Sequence, residues 1–155
     1  MGFNCRIFLM TTLFFCSLFY STMMSGQKSH SIYIEALGNG FLAATINYDL
    51  RFQQVEEGFG ARIGIDFTGA GTIPILANYL IGNGPHKIEI GLGATIFTSQ
   101  FDHAGVLADG LRMTGTIAYR LHSESGFMLK AGWTPIFTND SSSITWPGIA
   151  IGWRF

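Results

Sequence analysis

Beyond residue 30 the chain alternates bulky apolar residues with small or polar ones at period two, and that habit restricts it to strands. Eight such runs are read at about 31–37, 43–52, 59–67, 72–81, 87–98, 111–121, 126–137 and 146–155. Nearly every break between them holds Gly, Asn, Asp or Ser, residues that tolerate turn backbone. No segment carries a helical period of 3.6. The pattern predicts an all-β, antiparallel, up-and-down arrangement.

The two faces of these runs differ in bulk as well as polarity. In the last run Ile149, Ile151, Trp153 and Phe155 oppose Gly148, Ala150, Gly152 and Arg154. In 43–52, Ala44, Ile46, Tyr48, Leu50 and Phe52 oppose Thr45, Asn47, Asp49 and Arg51. An eight-stranded barrel has an interior only wide enough for side chains to fill, so the small face belongs inside and the bulky face outside. Composition agrees: charged residues are 12% of the chain and hydrophobic ones 48%, too little charge to coat a soluble domain of this size. Runs of 9–12 residues are also the length that a tilted strand needs to cross a bilayer. The expectation is therefore an eight-stranded transmembrane β-barrel rather than a soluble lipocalin-like one.

The first 26 residues read differently. Arg6 gives the start a positive charge, residues 7–20 are largely apolar, and residues 21–26 are mostly small or polar. That order is a secretory signal peptide, and the apolar run is shorter than a membrane helix requires. The domain division is thus signal peptide 1–26 and barrel 27–155. Both cysteines, Cys5 and Cys16, fall in the leader, so the exported part would hold no disulfide or thiolate site. With the N-terminus placed in the periplasm, the short breaks 53–58, 82–86 and 122–125 become periplasmic turns. The long breaks 99–110 and 138–145 then face outward, the asymmetry usual in such barrels. Tyr48, Phe52, Tyr79, Tyr119, Trp153 and Phe155 would form one aromatic belt, with Phe67, Trp133, Phe137 and Trp146 the other.

The final strand, Ile149-Ala150-Ile151-Gly152-Trp153-Arg154-Phe155, resembles the terminal signal of outer-membrane barrel proteins. The segments Asn47-Tyr48-Asp49-Leu50-Arg51-Phe52, Ile73-Pro74-Ile75-Leu76-Ala77-Asn78-Tyr79 and Trp146-Pro147-Gly148-Ile149 are similar to a family of small bacterial outer-membrane β-barrels, mostly without assigned function. The resemblance covers nearly all of 27–155. It implies an outer-membrane location, lipid and lipopolysaccharide as surroundings, and recognition of Ile149, Ile151, Trp153 and Phe155 by the barrel assembly machinery. It supplies no catalytic residue.

Ten charges are expected to point inward: Glu35, Asp49, Arg51, Arg62, Asp66, Glu89, Arg112, Arg120, Lys130 and Arg154. With four acids and six bases on seven strands, they suit a salt-bridge plug, because an enclosed charge needs a partner. A selective pore or ligand site is the alternative. His122-Ser123-Glu124 holds the residue types of a hydrolytic relay, but consecutive turn residues rarely reach relay geometry, and a solvated turn is expected. Asp102, His103 and Asp109 share the longest outer break and read as hydrated loop residues rather than an ion site. Gly38-Asn39-Gly40-Phe41-Leu42-Ala43 has glycine spacing like a dinucleotide loop yet leads into a strand, so it reads as a hairpin turn. Glu56 and Glu57 are expected to solubilise a periplasmic turn. A net charge of −1 offers no basic field for nucleic acid. The function expected is a non-enzymatic, cofactor-free, monomeric barrel, structural or interacting through its outer loops. A small-molecule transport or binding barrel is the alternative, and a lipid-modifying barrel enzyme stands behind both.

Overall fold

The computed structural model describes residues 28–53, 55–98, 110–137 and 143–155. Eight strands follow in order: β1 His30–Leu37, β2 Ala44–Arg51, β3 Gly58–Asp66, β4 Thr72–Ile81, β5 His86–Phe97, β6 Gly110–His122, β7 Phe127–Phe137 and β8 Ser143–Arg154. Each pairs antiparallel with its sequence neighbours, and β1 closes on β8 into a barrel. The seam runs from Ser31 opposite Arg154 to Leu37 opposite Gly148. Closure leaves no unpaired sheet edge, which is what strands in hydrocarbon require. The signal-peptide reading falls on residues 1–26 and lies outside the described residues, as do Asp102, His103 and Asp109.

Strand boundaries fall within a residue or so of those read from the sequence, except in β8. Ser143, Ile144 and Thr145 pair with Phe137, Ile136 and Pro135, extending β8 three residues beyond its expected start. Those residues lack the outward apolar bulk used to recognise a strand. A hairpin that has left the hydrocarbon no longer needs it.

The bulky face is outside. Ile46, Ile63, Ile65, Ile90, Leu92, Met113, Ile117, Trp133, Ile149 and Ile151 are all exposed, and exposed aromatics lie toward both ends of the wall. In water such a continuous apolar belt would be untenable; against lipid chains it is the solvated surface. Trp146 departs from the expected outer belt. It points inward and packs on Phe41, with ring centroids 4.7 Å apart. The interior also holds more apolar bulk than the face argument allows: Tyr33, Leu76, Leu80, Phe97, Met128 and Ile136 are buried. Period two assigns a face, but inward glycines such as Gly60, Gly91 and Gly132 leave room for neighbours of any size.

Candidate functional site

Midway along the barrel the interior is a layer of ionised side chains. Glu35 comes from β1, Asp49 and Arg51 from β2, Arg62 from β3, Glu89 from β5, Arg120 from β6 and Lys130 from β7. Arg120 donates to Glu89 from Nε at 2.6 Å and to Asp49 from Nη2 at 2.5 Å. The Lys130 ammonium lies 3.1 Å from Glu35 and 3.2 Å from Glu89. Arg62 reaches Glu35 at 3.3 Å and Glu89 at 3.9 Å, and donates to the Tyr33 hydroxyl at 3.1 Å. Arg51 pairs with Asp49 and donates to Asn78 at 2.5 Å, while Asn78 donates to Asp49 at 3.0 Å. The Arg51 guanidinium lies over Gly60, where any side chain would collide with it.

Tyr33 stands in the middle of this layer, its ring centre 5.5 Å from Arg120 and Lys130 and 6.0 Å from Arg62. Three cations around one aromatic ring and its hydroxyl bind the two sides of the lumen together. Arg62, Arg120, Glu35 and Glu89 are each no more than 1% exposed, so the layer is packed as well as paired.

Above this layer, toward the end away from the termini, the β1–β2 connection turns into the lumen. Residues Gly38–Gly40 form a single 3-10 turn whose Asn39 is fully buried. Asn39 donates from Nδ2 to the Gly115 carbonyl at 3.1 Å, accepts from Thr95 through its own carbonyl at 3.0 Å, and accepts from Arg62 at Oδ1. One residue thus ties β3, β5 and β6 across the barrel. The turn is entered and left through left-handed backbone at Leu37 and Phe41, φ 64° and 61°, a conformation unfavourable for side chains of this size. Burial of Phe41 against Phe97, Ile136, Ile144 and Trp146 offsets it. The hairpin turn foreseen from Gly38-Asn39-Gly40 is therefore a plug, which the sequence alone does not signal. Its backbone approaches β8 so closely that a Cβ on Gly148 would meet the Gly38 Cα at 2.8 Å.

At the termini end the lumen widens into a chamber of about 570 Å³. Lys87 from β5, His122 from β6 and Arg154 from β8 line it, with Glu56 and Glu57 from the turn between β2 and β3. Lys87 Nζ donates to Glu57 at 2.6 Å and to the Gly82 carbonyl at 2.8 Å. Arg154 pairs with Glu56 and donates to the Ser123 carbonyl at 2.8 Å. Glu56 and Glu57 therefore do more than solubilise a turn, because they neutralise two lumen cations. His122 is likewise no solvated turn residue. It ends β6, is buried, and points inward, while Ser123 Oγ sits 3.0 Å from Ser125 Oγ instead. Among the described residues the His122 ring nitrogens make no hydrogen bond, the nearest carboxylate being Glu56 at 3.9 Å.

Seven of the ten expected inward charges meet in the central layer, and three lie elsewhere. Arg154 belongs to the chamber. Asp66 sits at the far end of β3, where it accepts from Thr68 N at 2.7 Å and Gly71 N at 2.8 Å and fastens the β3–β4 turn. Arg112 is half-buried, eight positions along β6 from Arg120 toward the same end. Alternation gives the face of a residue but not its depth, which explains all three. Lys87 is absent from the expected set although it shares the parity of Glu89. Of the terminal set, Ile149, Ile151 and Trp153 are exposed on the outer wall. Phe155 pairs its backbone with His30 and stacks on that ring at 6.1 Å.

No protein-family model matches the chain, and no curated protein does. Solved structures do match in fold. A designed transmembrane β-barrel aligns with TM-score 0.56 at 9% identity, covering 86% of this chain and all of that one. The outer-membrane protein Ail of Yersinia pestis aligns at TM-score 0.54 and 14% identity, covering 84% of this chain and all of Ail. The N-terminal β-barrel domain of Pseudomonas aeruginosa OprF aligns at 0.52 and 14%, with the same coverage. The chain has the fold of a small eight-stranded transmembrane barrel.

Proposed function

We propose that this chain is a non-conducting barrel of the bacterial outer membrane, exported by a cleaved signal peptide and acting as a structural or interacting element through its outer loops. The observation that carries this reading is the obstructed lumen. The ion-paired layer from Glu35 to Lys130 and the Asn39 plug lie one above the other, both buried and both bonded across the barrel. Eight strands leave little lumen beyond what such side chains fill. No step of bond making or breaking is assigned to it. Lipid and lipopolysaccharide surround the belt, and the barrel assembly machinery reads the strand ending in Phe155.

Reconstitution in planar bilayers tests the reading. Baseline current with no steady large conductance is expected, and reproducible channel steps would overturn it. The termini-end chamber favours a second reading, a binding barrel whose ligand enters from one side only.

A further inference from the structure

The chamber at the termini end is built unlike the rest of the lumen. In the central layer every acid and base comes from the barrel wall, so the pairs are fixed by strand register. In the chamber the nitrogen-bearing side chains come from the wall, on β5, β6 and β8, whereas the carboxylates Glu56 and Glu57 come from a turn. Lys87, His122 and Arg154 are at most 5% exposed, while the Glu56 and Glu57 side chains are 32% and 46% exposed. The nitrogens are thus fixed on the barrel wall, and the counter-charges of Lys87 and Arg154 sit on a turn outside the strand register.

Two further observations point to a ligand. First, hydrogen-bonding capacity is left unmet in the chamber wall: both His122 ring nitrogens and Arg154 Nε are buried there and make no hydrogen bond among the described residues. Buried polar atoms rarely stay unpaired in a finished structure. Second, a volume of about 570 Å³ lies within the ordinary range of small-molecule sites. Below it the space narrows to a void of about 10 Å³ bordered by Arg51 and Arg120. Those guanidiniums, both paired with Asp49, close the floor and block onward passage.

We propose that this chamber is a binding site for a small soluble molecule bearing an oxyanion, phosphate or carboxylate, which Lys87, His122 and Arg154 hold in place of the Glu56 and Glu57 carboxylates. Lys87 and Arg154 supply charge-assisted donors, and His122 supplies a ring N–H in either protonation state. The ligand enters from the termini end and leaves by the same route. Glu56 and Glu57 balance Arg154 and Lys87 in the empty site, with the exposed Glu124 a third carboxylate in the lining, so binding is an exchange of one anion for another.

The test is titration calorimetry on the purified barrel in detergent at constant ionic strength, with inorganic phosphate and, separately, N-acetylglycine as probes. Saturable one-to-one heat with at least one probe is expected. A phosphate response alone marks a phosphate-bearing ligand, and a response to both marks a site for oxyanions in general. Neutralising the competitor with Glu56→Gln and Glu57→Gln tightens binding by about tenfold, the equivalent of one added charge-assisted hydrogen bond. Lys87→Gln with Arg154→Gln weakens it by at least about that factor. Heat-modifiable gel migration checks that each variant is a folded barrel. The turn variants, remote from any strand register, carry the test if the cation variants fail to fold. The proposal is overturned if neither probe binds the wild type saturably, or if binding ignores the Glu56 and Glu57 changes. Binding that appears only after those carboxylates are neutralised overturns it as well, since they would then be permanent partners.

Discussion

The central layer holds four cations, Arg51, Arg62, Arg120 and Lys130, against three anions, Glu35, Asp49 and Glu89, a surplus of one positive charge. That imbalance makes the two signs unequal under mutation. Glu89 is approached by Arg120 at 2.6 Å, Lys130 at 3.2 Å and Arg62 at 3.9 Å. Glu89→Gln keeps the shape but leaves four cations facing two anions, and an uncompensated buried charge costs about 3–5 kcal/mol. Lys130→Met leaves three against three. Glu35 retains Arg62 and Glu89 retains Arg120, so the expected loss is under about 1.5 kcal/mol, in line with the near-neutral replacement of some buried charges by apolar groups. Urea unfolding in phospholipid vesicles, followed by tryptophan fluorescence, measures both as shifts in midpoint at constant slope. Equal losses, or a larger loss for Lys130→Met, would refute the charge-count argument.

Further outcomes are expected at four other places. Gly148→Ala drives a methyl against the Gly38 backbone and should lower stability by about 1–3 kcal/mol; brief current steps in planar bilayers would report the loosened plug. Tyr33→Phe removes the hydroxyl that accepts from Arg62 and should cost about 1.5–3 kcal/mol, the usual range for a bond to a charged group, in the same urea assay. Ile117→Arg places a charge on the outer wall, with an expected penalty of about 2–4 kcal/mol near the bilayer midplane, against almost none if that wall faced water. Deletion of Phe155 should reduce assembly into outer membranes more than refolding in detergent, as judged by heat-modifiable migration in each setting.

What can be read from the sequence follows from what period two encodes. The alternation in 43–52 separates Ile46 and Tyr48 from Asn47 and Asp49 without reference to any other strand, so strand count and outer face are legible. Depth is not, because it depends on the stagger between strands. Thus Asp66 and Arg112, which share a face with Arg62 and Arg120, lie toward the far end of the barrel. The plug is illegible for a different reason. A Gly-Asn-Gly turn is compatible with solvent or lumen, and the choice rests on Phe41 meeting Phe97, Ile136 and Trp146 from β5, β7 and β8. The roles of Glu56 and Glu57 do not show in their own turn, since their partners Arg154 and Lys87 lie 98 and 30 residues further along the chain.

Cysteine labelling of β6 and the turn after it separates a bilayer-spanning barrel with a blocked interior from a water-filled or soluble one. The segment 27–155 contains no cysteine, so single replacements at Ser123, Thr116 and Ile117 report the solvated turn, the lumen and the outer wall. In vesicles, a water-soluble maleimide should modify Ser123→Cys readily and leave Thr116→Cys and Ile117→Cys untouched, while a membrane-permeant one should reach Ile117→Cys. Modification of Thr116→Cys by the water-soluble reagent at the rate of Ser123→Cys would reveal a water-filled lumen and contradict the blocked interior, and the same result at Ile117→Cys would remove the wall from the membrane.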